Sequence, residues 1–311
     1  MSFSADVRNE LARIQPEKVC CSKAELSALL LNKSSISMSN SNYIMAVETD
    51  NPAIARKIYK FLKDLYDFKS TVKIVDKSKN RKSRSYIVNT FLSSADLKLL
   101  NEIVEIENNI IKPQYNDISA ANCCKRAYLR GLFLSRGFIN RPEGNYHLEL
   151  IFSHPRLARE VQKTLIAFGV EAKLIKRKKS HFMYVKESEQ IADFLRIVEA
   201  NNALLEFENI RILKSMRNNV NRQVNCETAN LAKTINAAVR QMELIEKLVS
   251  HNIIDSLPYQ LKELAILRLD HPDATLKELG EMLDPPLTKS GVAYRMRRLE
   301  KFAEELLNDS I

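Results

Sequence analysis

Near the C-terminus, the stretch TKSGVAYRMRRLEK carries Lys289, Arg295, Arg297, Arg298 and Lys301 against a single acid, Glu300. Cationic and hydroxyl side chains at helical spacing can donate hydrogen bonds to phosphates and to base edges in a major groove. Thr288, Lys289, Ser290, Ala293, Tyr294, Arg295, Arg297 and Arg298 are therefore the candidate DNA contacts. Two further basic runs lie earlier: KSTVKIVDKSKNRKSR has seven cations and one acid, and KLIKRKKSH has five cations. They nominate Lys79, Arg81, Lys82, Arg84, Lys176, Arg177, Lys178 and Lys179 as phosphate contacts. The pairs Cys20-Cys21 and Cys123-Cys124 bring four thiols that could hold zinc. Neighbouring residues on a helix project in different directions, however, so burial of small apolar thiols is the expectation, with no metal and no cofactor.

The C-terminal run must be positioned by helices. Leu261, Leu264, Ala265 and Leu269 mark one apolar face. Thr275 is placed to cap TLKELGEML, whose Leu276, Leu279 and Leu283 face inward. Asp284, Pro285 and Pro286 stop that helix, since proline cannot continue the hydrogen-bond ladder. A third helix starts at Thr288 or Ser290, with Val292, Met296 and Leu299 inward, and Gly280 supplies the small residue that such a turn needs. Asn225 is placed to cap a helix running to about Val249 that would bridge two domains.

The earlier runs belong to a repeat. Cys20-Cys21, Asn42-Tyr43, Pro52 and Ala55-Arg56 recur at Cys123-Cys124, Asn145-Tyr146, Pro155 and Ala158-Arg159, all at an offset of 103. In each copy a helix is followed by alternating strand segments, NYIMAVET or NYHLELIF, then by an amphipathic helix with proline in its first turn. A second strand pair follows: STVKIVD with SYIVNTF, and EAKLIKR with HFMYVK. Closing helices are expected near DLKLLNEIVE and SEQIADFLRIVEA.

At 311 residues, two domains are expected. The net charge of +10 points to a polyanionic partner, and its distribution is uneven. Residues 227–311 hold 11 basic and 14 acidic residues, net −3, while residues 1–226 hold 37 and 24, net +13. No stretch has the apolar length to span a bilayer, and MSFSADVRNELARI is too charged for a signal peptide, so a cytoplasmic, nucleoid-associated location is expected. Five cysteines, an odd number, fit reduced thiols.

YLRGLFLSRGFI and its eroded counterpart LSALLLNKSSIS resemble the helices of LAGLIDADG homing endonucleases. That resemblance implies two helices packed on a pseudo-two-fold axis, with Gly131 and Ala28 at their contact. It also implies a saddle of two sheets over DNA and a metal-binding carboxylate at each helix foot. Magnesium requires hard oxygen ligands. The matching positions here are Lys33 and Arg136, which would repel it, and Glu25 lies two turns away; Asp50, Glu48 and Glu149 match only under a shifted alignment. No catalysis is expected. The three C-terminal helices resemble the helix-turn-helix of sigma factor region 4.

The combination, with CCSKAELSALL, CCKRAYLRG, KESEQIADFLRIV, NNALLEFENIRI, MRNNVNRQVNCETANLAKT, TLKELGEML and TKSGVAYRMRRL, resembles the WhiA family of bacterial regulators over essentially the whole chain. Ser34 departs from the glycine usual after the first motif. The resemblance implies an α+β protein: a duplicated, pseudo-two-fold LAGLIDADG-like αββαββα domain, then an all-α helix-turn-helix domain. The expected bounds are 1–222, with repeats at about 20–110 and 123–205, a linker helix at 223–252, and the helix-turn-helix domain at 253–311. It further implies a DNA-binding transcription regulator tied to cell division and chromosome segregation, and to sporulation in related families. The implied partner is double-stranded DNA, with other transcription regulators or division proteins beside it. An active metal-dependent homing endonuclease and a protein-binding scaffold without DNA affinity are the rival readings.

Overall fold

The repeat at an offset of 103 becomes two matching αββ units built around two helices, α2 (Val19–Leu30) and α5 (Asn122–Arg136). A computed structural model describes residues 2–31, 34–39, 42–76, 84–114, 121–178 and 180–308. Its contacts divide the chain into two units, Met1–Ser215 and Met216–Ile311.

The first unit opens on α1 (Phe3–Arg13), capped by Ser2. Its buried stripe of Phe3, Val7 and Leu11 joins the core, a helix not anticipated from the sequence. After α2, β1 (Ser34–Ser39) and β2 (Asn42–Thr49) form an antiparallel pair. The serine run that ends the helix is thus itself a strand. Asn51 caps α3 (Pro52–Tyr66) by accepting from the Ala53 and Ile54 amides, with Pro52 in the first turn where no N–H is missed. β3 (Ser70–Asp76) and β4 (Arg84–Leu92) complete a sheet of order β1-β2-β4-β3.

A capping box of Ser93 and Asp96 starts α4 (Ser94–Leu100). The expected closing helix over DLKLLNEIVE is only half right, because its end becomes β5 (Val104–Glu107), paired with β6 (Ile110–Pro113). The β-branched Val104 is buried there as an extended residue, and Ile103 is buried in the turn before it. The second copy follows: α5, β7 (Gly137–Ile139), β8 (Leu148–Phe152), α6 (Pro155–Ala167), β9 (Lys173–Arg177), β10 (Ser180–Val185) and α7 (Ser188–Ile197). Its sheet order, β7-β8-β10-β9, repeats that of the first. Met45, Val47 and Val88 from one sheet and Leu148, Leu150 and Met183 from the other bury into one core with α2 and α5.

α8 (Asn201–Ser250) begins in the first unit, where Ala203 and Phe207 are buried, and ends in the second, where Ile245 and Leu248 are buried. The expected helix start at Asn225 is therefore corrected. Residues 201–250 contain neither glycine nor proline, and an interior asparagine costs only a fraction of a kcal/mol, so nothing there ends the helix. The second unit continues with a 3-10 turn (Ile254–Ser256), α9 (Tyr259–Asp270), α10 (Leu276–Met282) and α11 (Lys289–Asn308). Leu261, Leu264, Leu279, Leu283, Val292, Met296 and Leu299 form its core with the end of α8. None of the described helices is long and apolar enough to cross a membrane.

Candidate nucleic-acid interface

In the second unit, Thr275 accepts from the Glu278 amide, and the Glu278 carboxylate accepts from the Thr275 amide, starting α10 with a full capping box. Those hydrogen bonds hold the Glu278 carboxyl below its ordinary range. The turn into α11 is closed by the Leu287 amide donating to the Gly280 carbonyl at 2.9 Å. A Cβ on Gly280 would lie 2.2 Å from the Leu287 carbonyl oxygen, so only glycine permits this approach. Thr288 caps α11, its hydroxyl accepting from the Gly291 amide at 3.3 Å.

Val292, Met296, Leu299 and Ala303 fall on one face of α11 and are buried. Ser290, Tyr294, Arg297, Arg298 and Lys301 therefore lie on the opposite face and are exposed, as are Thr288 and Lys289 at the helix start. Ala293 and Arg295 flank that face, half-buried. The Arg297 Nε donates to the Ala293 carbonyl at 3.2 Å, laying that side chain back along the helix. All eight residues expected from the sequence are thus on one element, six outward and two at its margins.

The first unit distributes its basic residues differently. Arg84 is exposed and pairs with Asp76 across the β3–β4 pair at 3.5 Å. Lys79, Arg81, Lys82 and Lys179 lie outside the described residues. Lys176, Arg177 and Lys178 are exposed at the end of β9, with Lys178 in the left-handed region at φ 54°. Leu150, Met183 and Leu174 are matched across the second sheet, and the first two point to the core. The alternate residues Ile175, Arg177, Phe182 and Tyr184 consequently occupy the open face. There Arg177 sits over the Phe182 ring at 5.4 Å, Lys186 over the Tyr184 ring at 5.5 Å, and His147 stacks on Tyr184 at 6.0 Å. Arg177, Lys186, Tyr184 and His147 also line a cavity of about 560 Å³. Tyr184, Lys186 and His147 are not among the sequence candidates. The period-two alternation of NYHLELIF and HFMYVK is the signal that could have found them, since it names the outward residues as well as the strands.

The axis helices bury an acid among cations. α2 and α5 approach so closely that a Cβ on Gly131 would meet the Glu25 carbonyl oxygen at 2.5 Å and the Ala28 Cβ at 2.8 Å. Glu25 is fully buried between them and is neutralised by Lys57 at 2.5 Å and Arg130 at 3.0 Å. Arg130 reaches onward to Glu199 at 2.6 Å. At the foot of α5, Arg136 donates to the Ser153 hydroxyl at 2.8 Å. Burial, and after it the charges of Lys112 and Arg136, push the nearby His154 below its ordinary pKa. Of the neighbouring acids, Glu48 accepts from Ser85 at 2.5 Å and Glu149 is 3.3 Å from His147. Asp50 is exposed, and Lys33 lies outside the described residues.

At the other end of the same helices the structure corrects an expectation. Cys20, Cys21, Cys123 and Cys124 do not point apart: their four sulfurs lie within 4.8 Å of one another. Only Cys21 and Cys124 are buried, with Cys123 half-buried and Cys20 exposed. Each pair diverges along its own helix, but the pseudo-two-fold turns the pairs toward each other.

Three family models match successive parts of the chain. They are the WhiA N-terminal LAGLIDADG-like domain at residues 19–103, the WhiA LAGLIDADG-like domain at 125–217, and the WhiA C-terminal HTH domain at 220–303. A probable cell division protein WhiA of Syntrophomonas wolfei is 53% identical over 314 residues, covering 99% of this chain and 100% of that protein. Its counterpart in Desulfitobacterium hafniense is 45% identical, covering 100% and 98%. Full-length WhiA of Thermatoga maritima shares the fold with a TM-score of 0.60 at 24% identity, covering 98% of this chain and 99% of that one.

Proposed function

From the premise that this chain belongs to the WhiA family, we propose that it is a non-catalytic, DNA-binding regulator of transcription serving cell division and chromosome segregation. α11 acts as the recognition helix, its outward Thr288, Lys289, Ser290, Tyr294, Arg297 and Arg298 lying in the major groove, with Ala293 and Arg295 at the margins. The observation that carries this reading is the clean division of α11 into a buried apolar face and an opposite cationic one. Residues 227–311 are net acidic, yet five of their eleven basic residues, Lys289, Arg295, Arg297, Arg298 and Lys301, stand on α11. The basic strand ends of the first unit, from Arg84 and from Lys176 to Lys178, add sequence-independent phosphate contacts. The segments with Lys79, Arg81, Lys82 and Lys179 are assigned the same role.

The nuclease alternative is disfavoured by charge. The carboxylate nearest the helix pair, Glu25, is consumed by two buried cations, and the foot of α5 holds Arg136 in place of a ligand. The relatives' names place those proteins in cell division, and we extend that setting to this chain.

The test is a binding titration of the full chain on labelled duplex DNA over a range of salt. Arg297→Ala and Arg298→Ala are each expected to weaken binding, and each lost phosphate contact to lower the slope of log affinity against log salt by about one unit. Unchanged affinity in the double variant contradicts α11 as the reader.

A further inference from the structure

We infer that Cys20, Cys21, Cys123 and Cys124 form a tetrathiolate site for one zinc ion, joining the two repeats at the N-terminal ends of α2 and α5. The four sulfurs already converge within 4.8 Å. Zinc–thiolate bonds of about 2.3 Å in a tetrahedron put the sulfurs about 3.8 Å apart, so closure needs them to draw together by about 1 Å. Mutual proximity of all four is what a metal requires, whereas a disulfide requires one pair. Sulfur is the only ligand type in the cluster, which selects a soft or borderline ion over magnesium or calcium.

The surroundings fit a charged centre. Both pairs occupy the second and third positions of their helices, within the first turn that carries the positive end of the helix dipole. Neither helix has a side-chain cap: Lys18 and Ala121 stand at the cap positions and supply no acceptor. Two positive helix ends therefore face the thiols and would offset the double negative charge of a four-thiolate zinc centre. Ala24 and Ala127 are buried in one cluster with Cys21 and Cys124. In front, Cys21, Cys123 and Lys18 line a cavity of about 310 Å³, which gives the ion a path inward.

The position gives the site a structural meaning. Cys124 and Arg136 are separated by twelve residues of one helix, which is about 18 Å along its axis. Ligands at one end of the helix pair would fasten the repeats together, while Arg136 stands at the other end of α5. With four protein ligands the centre is closed, as structural zinc sites are.

The experiment uses the full chain, purified under reducing conditions, with all five thiols verified as reduced by mass. Zinc content is measured, and the metal-free chain is then titrated with cobalt(II), whose tetrahedral thiolate complexes absorb in the near ultraviolet and visible. One equivalent of zinc per chain, and cobalt bands that saturate at one equivalent, are expected. Cys226→Ser, which removes a thiol that is not part of the cluster, keeps both signals. Cys20→Ser with Cys123→Ser, the two least buried positions, abolishes the cobalt bands while the circular dichroism of the chain is retained. Reduced chain that gives no thiolate–cobalt bands overturns the proposal, as do bands that survive the double variant. A disulfide within the cluster that forms in air, in a chain that binds neither metal after reduction, overturns it as well.

Discussion

Glu25 sits fully buried where a helix of this type would otherwise be apolar, and its partners explain why it is tolerated. Lys57, itself buried, also donates to the Leu11 and Ile14 carbonyls at 3.0 and 2.6 Å, and Arg130 connects the group to Glu199. Glu25→Gln leaves two buried cations short of a counter-charge, and breaking a buried pair in this way costs about 3 kcal/mol or more. Urea unfolding of the first unit is expected to show that loss; a change below about 1 kcal/mol would contradict the network. Sequence places Glu25 two turns from the helix foot but is silent on its pairing, because Lys57 and Arg130 lie on other helices. Gly131 and Ala28 are legible as contact residues, since a close helix crossing admits only small side chains. The thiols mislead for the opposite reason: helical geometry within one segment is local, while convergence across a pseudo-two-fold is not.

Among the elements, those set by local chemistry are readable from the residues alone. Thr275, the Asp284-Pro285-Pro286 stop and the buried triplet of Val292, Met296 and Leu299 define α10 and α11, and Gly280 marks their contact. Gly280→Val pushes a side chain into the Leu287 carbonyl, and such overpacking costs about 1–3 kcal/mol. Faster hydrogen exchange at the amides of α10 and α11 is expected for that variant; wild-type exchange there would show that the turn does not need glycine. Elements decided by tertiary pairing are less readable. α1 is short and its stripe is recognisable only once a core exists to receive it, while the β5–β6 pair competes with a helical reading of the same residues. Asn225 carries a capping signal with no break in the helix to act on.

For the molecule as a whole, the duplication and the charge partition carry most of the functional argument. The repeat offset predicts that the two copies match, as their equal sheet orders do, and the net charges of +13 and −3 show where positive surface has to be local and where general. The open face of the second sheet, with Arg177, Lys186 and Tyr184, is legible only through the strand alternation, once the core settles which alternate residues stay outside. The central claim is attachment to DNA without scission, and one gel examines both halves. Full chain incubated with supercoiled plasmid and magnesium or manganese should retard the plasmid before deproteinisation and release it still supercoiled afterwards. Nicked or linear plasmid that chelation prevents, or plasmid that is never retarded, would contradict it.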